Sequence, residues 1–391
     1  MQPPNLVLVP GTPDDRLSSG RTSIVHVVGA RPNFVKMAPV IAALDRRDVF
    51  RQVVVHTGQH YDSRMSDEVL ADLDFPAVDV FLGVGSGTHG AQTAKVLSEF
   101  ERVLIDVAPD VVLVAGDVNS TLACALAASK LGIAIAHLES GLRSFDWSMP
   151  EEINRVLTDR LADILFTHSP EAGDNLEAEG IDRSRVYYVG NTMIDSLRRC
   201  ERRARAVKAW EAIGMAERSY VLVTLHRPSN VDDPGRLDRI VDGLVGLAAH
   251  APVVFPIHPR TRARLADDGG LDRLSTAGVA CIEPAAYLEF LSLQSGAGAI
   301  VTDSGGIQEE ASALGISCYT FRPNTERPVT LTHGTNLLLG EDPAEISEVR
   351  PSSHPPTPCA IPLWDGRAGE RVADALVANY AMVSQHVGAH G

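Results

Sequence analysis

Short apolar runs recur along this chain, and each ends at a glycine or polar residue before an amphipathic stretch begins. A first series is SIVHVV (23–28), RQVVVHTG (51–58), DVVLVAGD (110–117), IAIAHLES (133–140), DILFTHS (163–169) and RVYYVGN (185–191). A second is YVLVTLH (220–226), APVVFPIHP (251–259), VACIEP (279–284), GAIVTDS (298–304) and ISCYTF (316–321). Runs this short and this apolar read as strands buried on both faces, with helices between them. The alternation predicts α/β sheets that are parallel and covered on both sides. It restarts after the polar helical stretch 196–214, which predicts two doubly wound units in tandem. Ligands of such folds bind at the carboxyl ends of the strands, so the two units are expected to face a cleft.

Length agrees with two domains: 391 residues, 45% of them apolar, can bury two cores. Residues 1–21 have neither a basic start nor a long apolar run and read as a disordered extension. The first domain is expected over 22–191, with a hinge near Asn191, and the second over 192–371. A proline-rich link (351–362) precedes a last helix, and 372–391 is expected to pack back on the first domain. A net charge of −15 argues against a nucleic-acid partner, although local arginines can still hold a small anion. No apolar run reaches the ~20 residues that span a bilayer, so no membrane partner is expected. The five cysteines are scattered and form no C-x-x-C pair, which points to reduced thiols in the cytosol.

Polar residues cluster where strands end. Arg31 follows the first strand, Asp117 the third, and His137 and Glu139 end the fourth, two apart and so expected on one face. His226 with Arg227, and His258 with Arg260, end strands of the second series. One such position would be an ordinary surface loop. Five, at the same ends of two sheets, point to a site. Met149-Pro150 opens a helix with Glu151 and Glu152 in its first turn, where acids suit the dipole. Glu151 and Arg155 are four apart and share a face, whereas Glu152 points about 100° away. One acid is therefore expected toward the cleft and the other in a structural ion pair.

IVTDSGGIQEE (300–310) has the strand, glycine turn and helix of a phosphate seat. Ser304, Gly305 and Gly306 would hold phosphate, but two acids in the first turns do not suit phosphate alone. A nucleoside diphosphate resolves the conflict, because Glu309 or Glu310 can accept from its ribose hydroxyls. His137 and Glu139 supply at most two of the three ligands that a metal needs, so no metal is expected. No G-x-S-x-G elbow is present. GVGSGTHG (83–90) reads as a flexible loop that moves with ligand.

GARPNFVKMAPV, TGQHYDSRMSDE, GDVNSTLACALAASKLG, HLESGLRSFDWSMPEEINRVLTD, VGNTMIDSL, TLHRPSNVDDP and TDSGGIQEEASALG through TERP resemble, in order from about Val25 to Gly340, the non-hydrolysing UDP-N-acetylglucosamine 2-epimerases. The resemblance implies two Rossmann-like domains, as in B-type glycosyltransferases. It implies an acid/base cluster of Asp117, Glu139 and Glu151, with Arg31, Lys36 and Arg155 lining the active-site cleft. It also implies that His226, Ser304, Gly305, Gly306 and Glu310 hold UDP, with Phe290 near the uracil. One branch of the family has an allosteric UDP-sugar site, which Gln59, His60 and Gln92 would line here. HRPSN lacks the acid that many members carry after the His-Arg pair, and TGQHYD replaces the QHR stretch of that branch. No cofactor is implied. The implied partners are a UDP-sugar substrate and a second copy in a homodimer. The implied chemistry is loss of UDP to a bound 2-acetamidoglucal and re-addition. A B-type glycosyltransferase and a non-catalytic nucleotide-sugar sensor are the rival readings.

Overall fold

The computed structural model describes residues 7–8, 21–59, 63–354 and 361–387. The chain divides into two compact units, residues 1–196 with 362–391, and residues 197–361. The division falls inside the helix Thr192–Val207.

The first unit is built on eight strands: β1 (Val7–Leu8), β2 (Thr22–Val28), β3 (Phe50–His56), β4 (Val80–Phe81), β5 (Val111–Ala115), β6 (Ala134–Leu138), β7 (Ile164–Thr167) and β8 (Val186–Tyr188). Their order is β1-β4-β3-β2-β5-β6-β7-β8. Only β1 runs antiparallel to its neighbour. Val25, Val27, Val55, Val112, Val114 and Ile135 are buried under the covering helices, which is why these strands are apolar at successive positions. The disordered extension expected over 1–21 needs a correction at three residues, one of them Arg21, which donates to Asp48 at 2.7 and 3.0 Å. Val7 and Leu8 pair with Phe81 and Val80 at the sheet edge. The other residues of 1–20 lie outside the described ones.

The second unit has six parallel strands: β9 (Val221–Thr224), β10 (Val253–Pro256), β11 (Ala280–Ile282), β12 (Ala299–Thr302), β13 (Cys318–Thr320) and β14 (Asn336–Leu338). Their order is β11-β10-β9-β12-β13-β14. Counted from β9 this is the 3-2-1-4-5-6 order of a Rossmann sheet, and counted from β2 the first unit repeats it through β7. Both units are thus doubly wound α/β folds, as the alternation predicts. In each, the order reverses between its first and fourth strands, β2/β5 and β9/β12, and the loops beyond those ends are where such folds bind ligands.

The helix Arg31–Arg47 follows β2 and contains Pro39, where the sequence predicts a kink or an irregular turn. The helix continues through it. Pro39 has no N–H for the carbonyl of Val35, and Ser196 Oγ donates to that carbonyl instead, at 2.6 Å. The helix Ala368–Val387 packs on the same helix: Gly369 lies so close to Pro39 that a Cβ would fall 2.7 Å from its carbonyl oxygen. Asp195 caps the start of this second helix, accepting from the N–H groups of Ala368 (3.1 Å) and Gly369 (2.7 Å). Among the described residues no helix is long and apolar enough to cross a membrane.

Candidate active site

In the first unit, β5 and β6 each end in a carboxylate paired to one cation. Gly116, at φ +67°, turns the chain so that Asp117 meets the guanidinium of Arg155. Beyond β6, Glu139 pairs with the ammonium of Lys36 on the helix Arg31–Arg47, and both side chains are almost buried. A Cβ at position 116 would lie 2.9 Å from Lys36 Nζ, so glycine there leaves room for this pair. Asn33 fixes the turn before the helix. Its Oδ1 accepts from the N–H groups of Gly29 (3.2 Å) and Ala30 (2.9 Å), and its Nδ2 donates to the Ala115 carbonyl at 2.9 Å. Arg31 opens the same helix, at β2's end.

The same-face expectation for His137 and Glu139 fails. β6 ends at Leu138, and Glu139 takes a left-handed backbone at φ +68°, which breaks the strand alternation. His137 bonds Asp159 and the Gly116 carbonyl, whereas Glu139 bonds Lys36. The helix Pro150–Leu161 separates its two leading acids as expected, but with a different partner for Arg155. Glu152 is buried and accepts from Ser144 N (2.9 Å), Ser144 Oγ (2.9 Å), Phe145 N (3.0 Å) and Arg155 Nη1 (2.6 Å). Arg155 thus joins Glu152 and Asp117. Glu151 is half-buried and forms no ion pair or side-chain hydrogen bond among the described residues.

Gln59 and Gln92 meet at the start of the helix Asn119–Lys130. Gln59 Oε1 accepts from Ser120 N and Oγ (3.0 and 2.7 Å), and Gln92 Oε1 accepts from Asn119 Nδ2 at 2.9 Å. His60 lies outside the described residues. Gln92 Nε2 also donates to the Gly85 carbonyl, and Lys95 Nζ to that of Val84, each at 2.9 Å. The glycine-rich segment expected to be flexible is pinned along this part.

The second unit presents a different surface. Asp303, fully buried after β12, accepts from His226 N, Arg227 N and Asn230 Nδ2 and lies 3.0 Å from His226 Nδ1. Burial would raise the Asp303 carboxyl, but the bonds from His226, Asn230 and Arg227 outweigh it and hold it below its ordinary value. Burial works to lower His226, and Asp303 overrides it, so the imidazole is raised. Ser304 then caps the helix Gly305–Leu314 by position, without a side-chain bond to it.

Three guanidiniums gather around that helix start. Arg327 Nε lies 2.9 Å from Glu309, and its Nη1 lies 2.6 Å from Glu326, which also receives Arg322 (2.8 Å) and Arg227 (3.5 Å). Arg327 is pressed on Gly305 so closely that a Cβ there would fall 2.2 Å from its Nη1. These arginines meet Glu309 and Glu326, with Asp303 beside them on the Arg227 backbone N–H. Burial and the guanidiniums of Arg227 and Arg327 pull Arg322 below its ordinary value despite Glu326. A bound anion would relieve that repulsion. The two acids of the helix also separate: Glu309 is committed to Arg327, while Glu310 accepts from Gln294 Nε2 at 2.6 Å. Phe290 lies half-buried on the helix Tyr287–Gly296 that carries Gln294.

Residues 42–377 match the family model described as UDP-N-acetylglucosamine 2-epimerase. The chain belongs to the UDP-N-acetylglucosamine 2-epimerase family. A UDP-N-acetylglucosamine 2-epimerase of Methanocaldococcus jannaschii is 42% identical over 358 residues, 90% of this chain and 97% of that protein. The crystal structure of the M. jannaschii enzyme in complex with UDP-GlcNAc and UDP has a TM-score of 0.84 at 40% identity, covering 91% of this chain and 100% of the other. A UDP-2,3-diacetamido-2,3-dideoxy-D-glucuronate 2-epimerase of Pseudomonas aeruginosa is 44% identical over 322 residues, 81% of this chain and 88% of that protein.

For this member of the epimerase family, sequence reasoning missed Asn33, Arg322 and Arg327. Arg327 stands in the TERP motif, but only tertiary packing brings it to Gly305. Among the described residues no group of three His, Cys, Asp or Glu is placed to hold a metal.

Proposed function

We propose that the protein inverts C2 of a UDP-2-acetamido sugar, with UDP-N-acetylglucosamine and UDP-N-acetylmannosamine as the pair, by eliminating UDP and adding it back. The observation that carries this reading is the pair of ion-paired carboxylates, Asp117 and Glu139, at adjacent strand ends of one sheet. The C2 proton of such a sugar is not beside a carbonyl, so direct removal to a carbanion is too costly. A carboxylate takes that proton, the C–H electron pair becomes the C1=C2 double bond, and the C1–O bond breaks with its electrons leaving on UDP. Re-addition reverses these steps with the proton returned to the other face. Two faces need at least two acid/base groups, and Asp117, Glu139 and Glu151 supply them. Arg31, Lys36 and Arg155 supply the cations that orient them and the sugar.

The second unit holds the leaving group. Gly305, Gly306 and Ser304 offer the diphosphate a helix start, and Arg227, Arg322, Arg327 and His226 supply positive charge where it develops negative charge. Glu310 accepts from the ribose hydroxyls, and Phe290 lies against the uracil. Gln59, His60 and Gln92 form the candidate second UDP-sugar site.

A modified UDP-sugar is the second reading, and the 44% identity to the P. aeruginosa enzyme supports it. A homodimer is proposed on the exposed apolar side chains Ile105, Phe145, Trp147, Ile153 and Leu157 of the first unit. A cytoplasmic location fits Cys124, Cys200, Cys281 and Cys318, none of which is in a disulfide. The test is proton NMR of the purified protein with UDP-N-acetylglucosamine in heavy water. Deuterium should enter C2 with no metal or acceptor added. An intact, unlabelled sugar, or transfer to an added acceptor, rejects the epimerase reading. An exchange rate far greater with the diacetamido-glucuronate analogue moves the assignment to the second.

A further inference from the structure

His137 is fully buried, and both of its ring nitrogens meet an oxygen. Nδ1 lies 2.7 Å from Asp159 Oδ1, and Nε2 lies 2.8 Å from the Gly116 carbonyl. A carbonyl only accepts. Asp159 accepts as well, since its Oδ2 takes Gly141 N at 3.1 Å and the Arg143 guanidinium at 2.7 Å. Nε2 therefore carries a proton, and Nδ1 and Asp159 Oδ1 share one between them. Arg143 is bound in turn by Glu179 through Nε (2.6 Å) and Nη2 (2.8 Å). His137, Asp159, Arg143 and Glu179 thus close on one another in one chain of polar contacts.

What this network grips matters more than its charge balance. The Gly116 carbonyl belongs to the peptide that leads into Asp117. Gly141 N lies just past Glu139. Between those grips Gly116 and Glu139 both hold left-handed backbone, at φ +67° and +68°. For Glu139 that conformation is strained, and such strain persists only where the surroundings fix it from several sides. Here Gly116 N bonds the Leu138 carbonyl and Ser140 N bonds the Phe166 carbonyl, each at 3.0 Å. The His137–Asp159 pair adds the link that joins the two turns through side chains.

We propose that His137 and Asp159 are positioning residues whose hydrogen bond braces the Gly116–Asp117 turn against the Glu139–Gly141 turn and sets the spacing of the two carboxylates. This rests on the reading of Asp117 and Glu139 as the acid/base groups. His137 and Asp159 act only through them. Displacing a reacting group by about an ångström lowers turnover about 10²-fold, and that is the loss expected here.

The experiment uses the full chain as wild type, His137→Gln and Asp159→Asn. It measures C2 deuterium exchange, UDP affinity by calorimetry, and the ¹⁵N resonances of the His137 ring. Expected are a wild-type ring protonated on Nε2 and turnover lowered about 10²-fold in each folded variant. UDP affinity should stay within about twofold, because the nucleotide seat lies on the other unit. Turnover within about threefold of wild type in either folded variant overturns the proposal. So does a parallel loss of UDP affinity, or a wild-type ring with Nε2 unprotonated. A wild type that exchanges no deuterium defeats the functional reading instead, and the ring resonances still report on the brace. Asp159→Asn preserves side-chain shape, so it keeps the test open if His137→Gln does not fold.

Discussion

At the ends of β5 and β6 the first unit sets two carboxylates, Asp117 and Glu139, each against one cation. At the corresponding end of β12 the second unit sets three arginines and a histidine around a helix start. The strand order behind both is the same. What differs is the length and content of the loops, so the fold supplies two equivalent positions and the loop residues decide which chemistry each receives. Carboxylates also serve opposite ends in the two units. Asp303 spends its oxygens on N–H groups and on His226, which makes it part of the frame. Glu139 and Asp117 bond to side-chain cations that can exchange partners.

If that division of labour is right, the two units can be disabled separately. The largest effect is expected for Glu139→Gln, which keeps the shape of the side chain and removes the base. C2 exchange should fall at least ~10²-fold, the lower range for loss of a general acid or base. Its UDP affinity should be unchanged by calorimetry. A loss of UDP binding in this variant would break the comparison.

The converse change is Glu310→Gln. A hydrogen bond to a charged group contributes about 1.5–3 kcal/mol, so UDP affinity should drop roughly tenfold to a hundredfold. An unchanged dissociation constant removes Glu310 from the nucleotide seat.

A smaller effect concerns pH. His226 is raised above the ordinary histidine value, about 6.5, because Asp303 outweighs burial. The imidazolium, and the attraction it adds for diphosphate, is therefore fully present below that ordinary value and is lost as pH rises through the raised one. UDP-N-acetylglucosamine should bind a Glu139→Gln background several-fold more weakly on the alkaline side, and His226→Gln should abolish the slope. An identical slope in both proteins places the titrating group elsewhere.

The smallest effect belongs to the first unit alone. Burial pushes the Asp195 carboxyl up to about 6, against the opposing N–H groups of Gly369 and Ala368. Its folded form holds the proton more tightly than the unfolded chain does. That contribution to stability is full below the ordinary aspartate value and is lost as pH rises through about 6. Asp195→Asn should flatten the thermal midpoint over this window, by a few degrees at most. Parallel pH curves for the two proteins would show that Asp195 does not titrate there.

All the strands but β1, β4 and β14, their order of appearance and the polar residues at their ends were legible in the sequence, because burial on both faces writes itself as continuous apolar runs. The strand, glycine turn and helix of 300–310 were legible for the same reason, since Ser304, Gly305 and Gly306 sit where a strand meets a helix. Arg322 and Arg327 were not. They lie in the loop after β13, and no periodicity says which helix start a loop side chain will reach. Strand alternation misplaced Glu139 relative to His137 because it assumes an extended backbone, and the left-handed turn at Glu139 carries no sequence signal comparable to a glycine. Helical spacing offered Glu151 as the neighbour of Arg155, whereas Arg155 pairs with Glu152, the acid expected in the structural ion pair, which the Ser144–Phe145 backbone also holds. Strand β1 is two residues long, too short to show any pattern.

The helix Ala368–Val387, seated on Pro39 and capped by Asp195, means that the second unit is an insertion within the first. During synthesis every residue of 197–361 is available before the first unit has received its last helix. Domains fold as units once their residues have emerged. The second unit, though later in the chain, is therefore complete first. The half that carries the carboxylates waits for a segment translated after it, with the face of the helix Arg31–Arg47 that will receive that segment still uncovered.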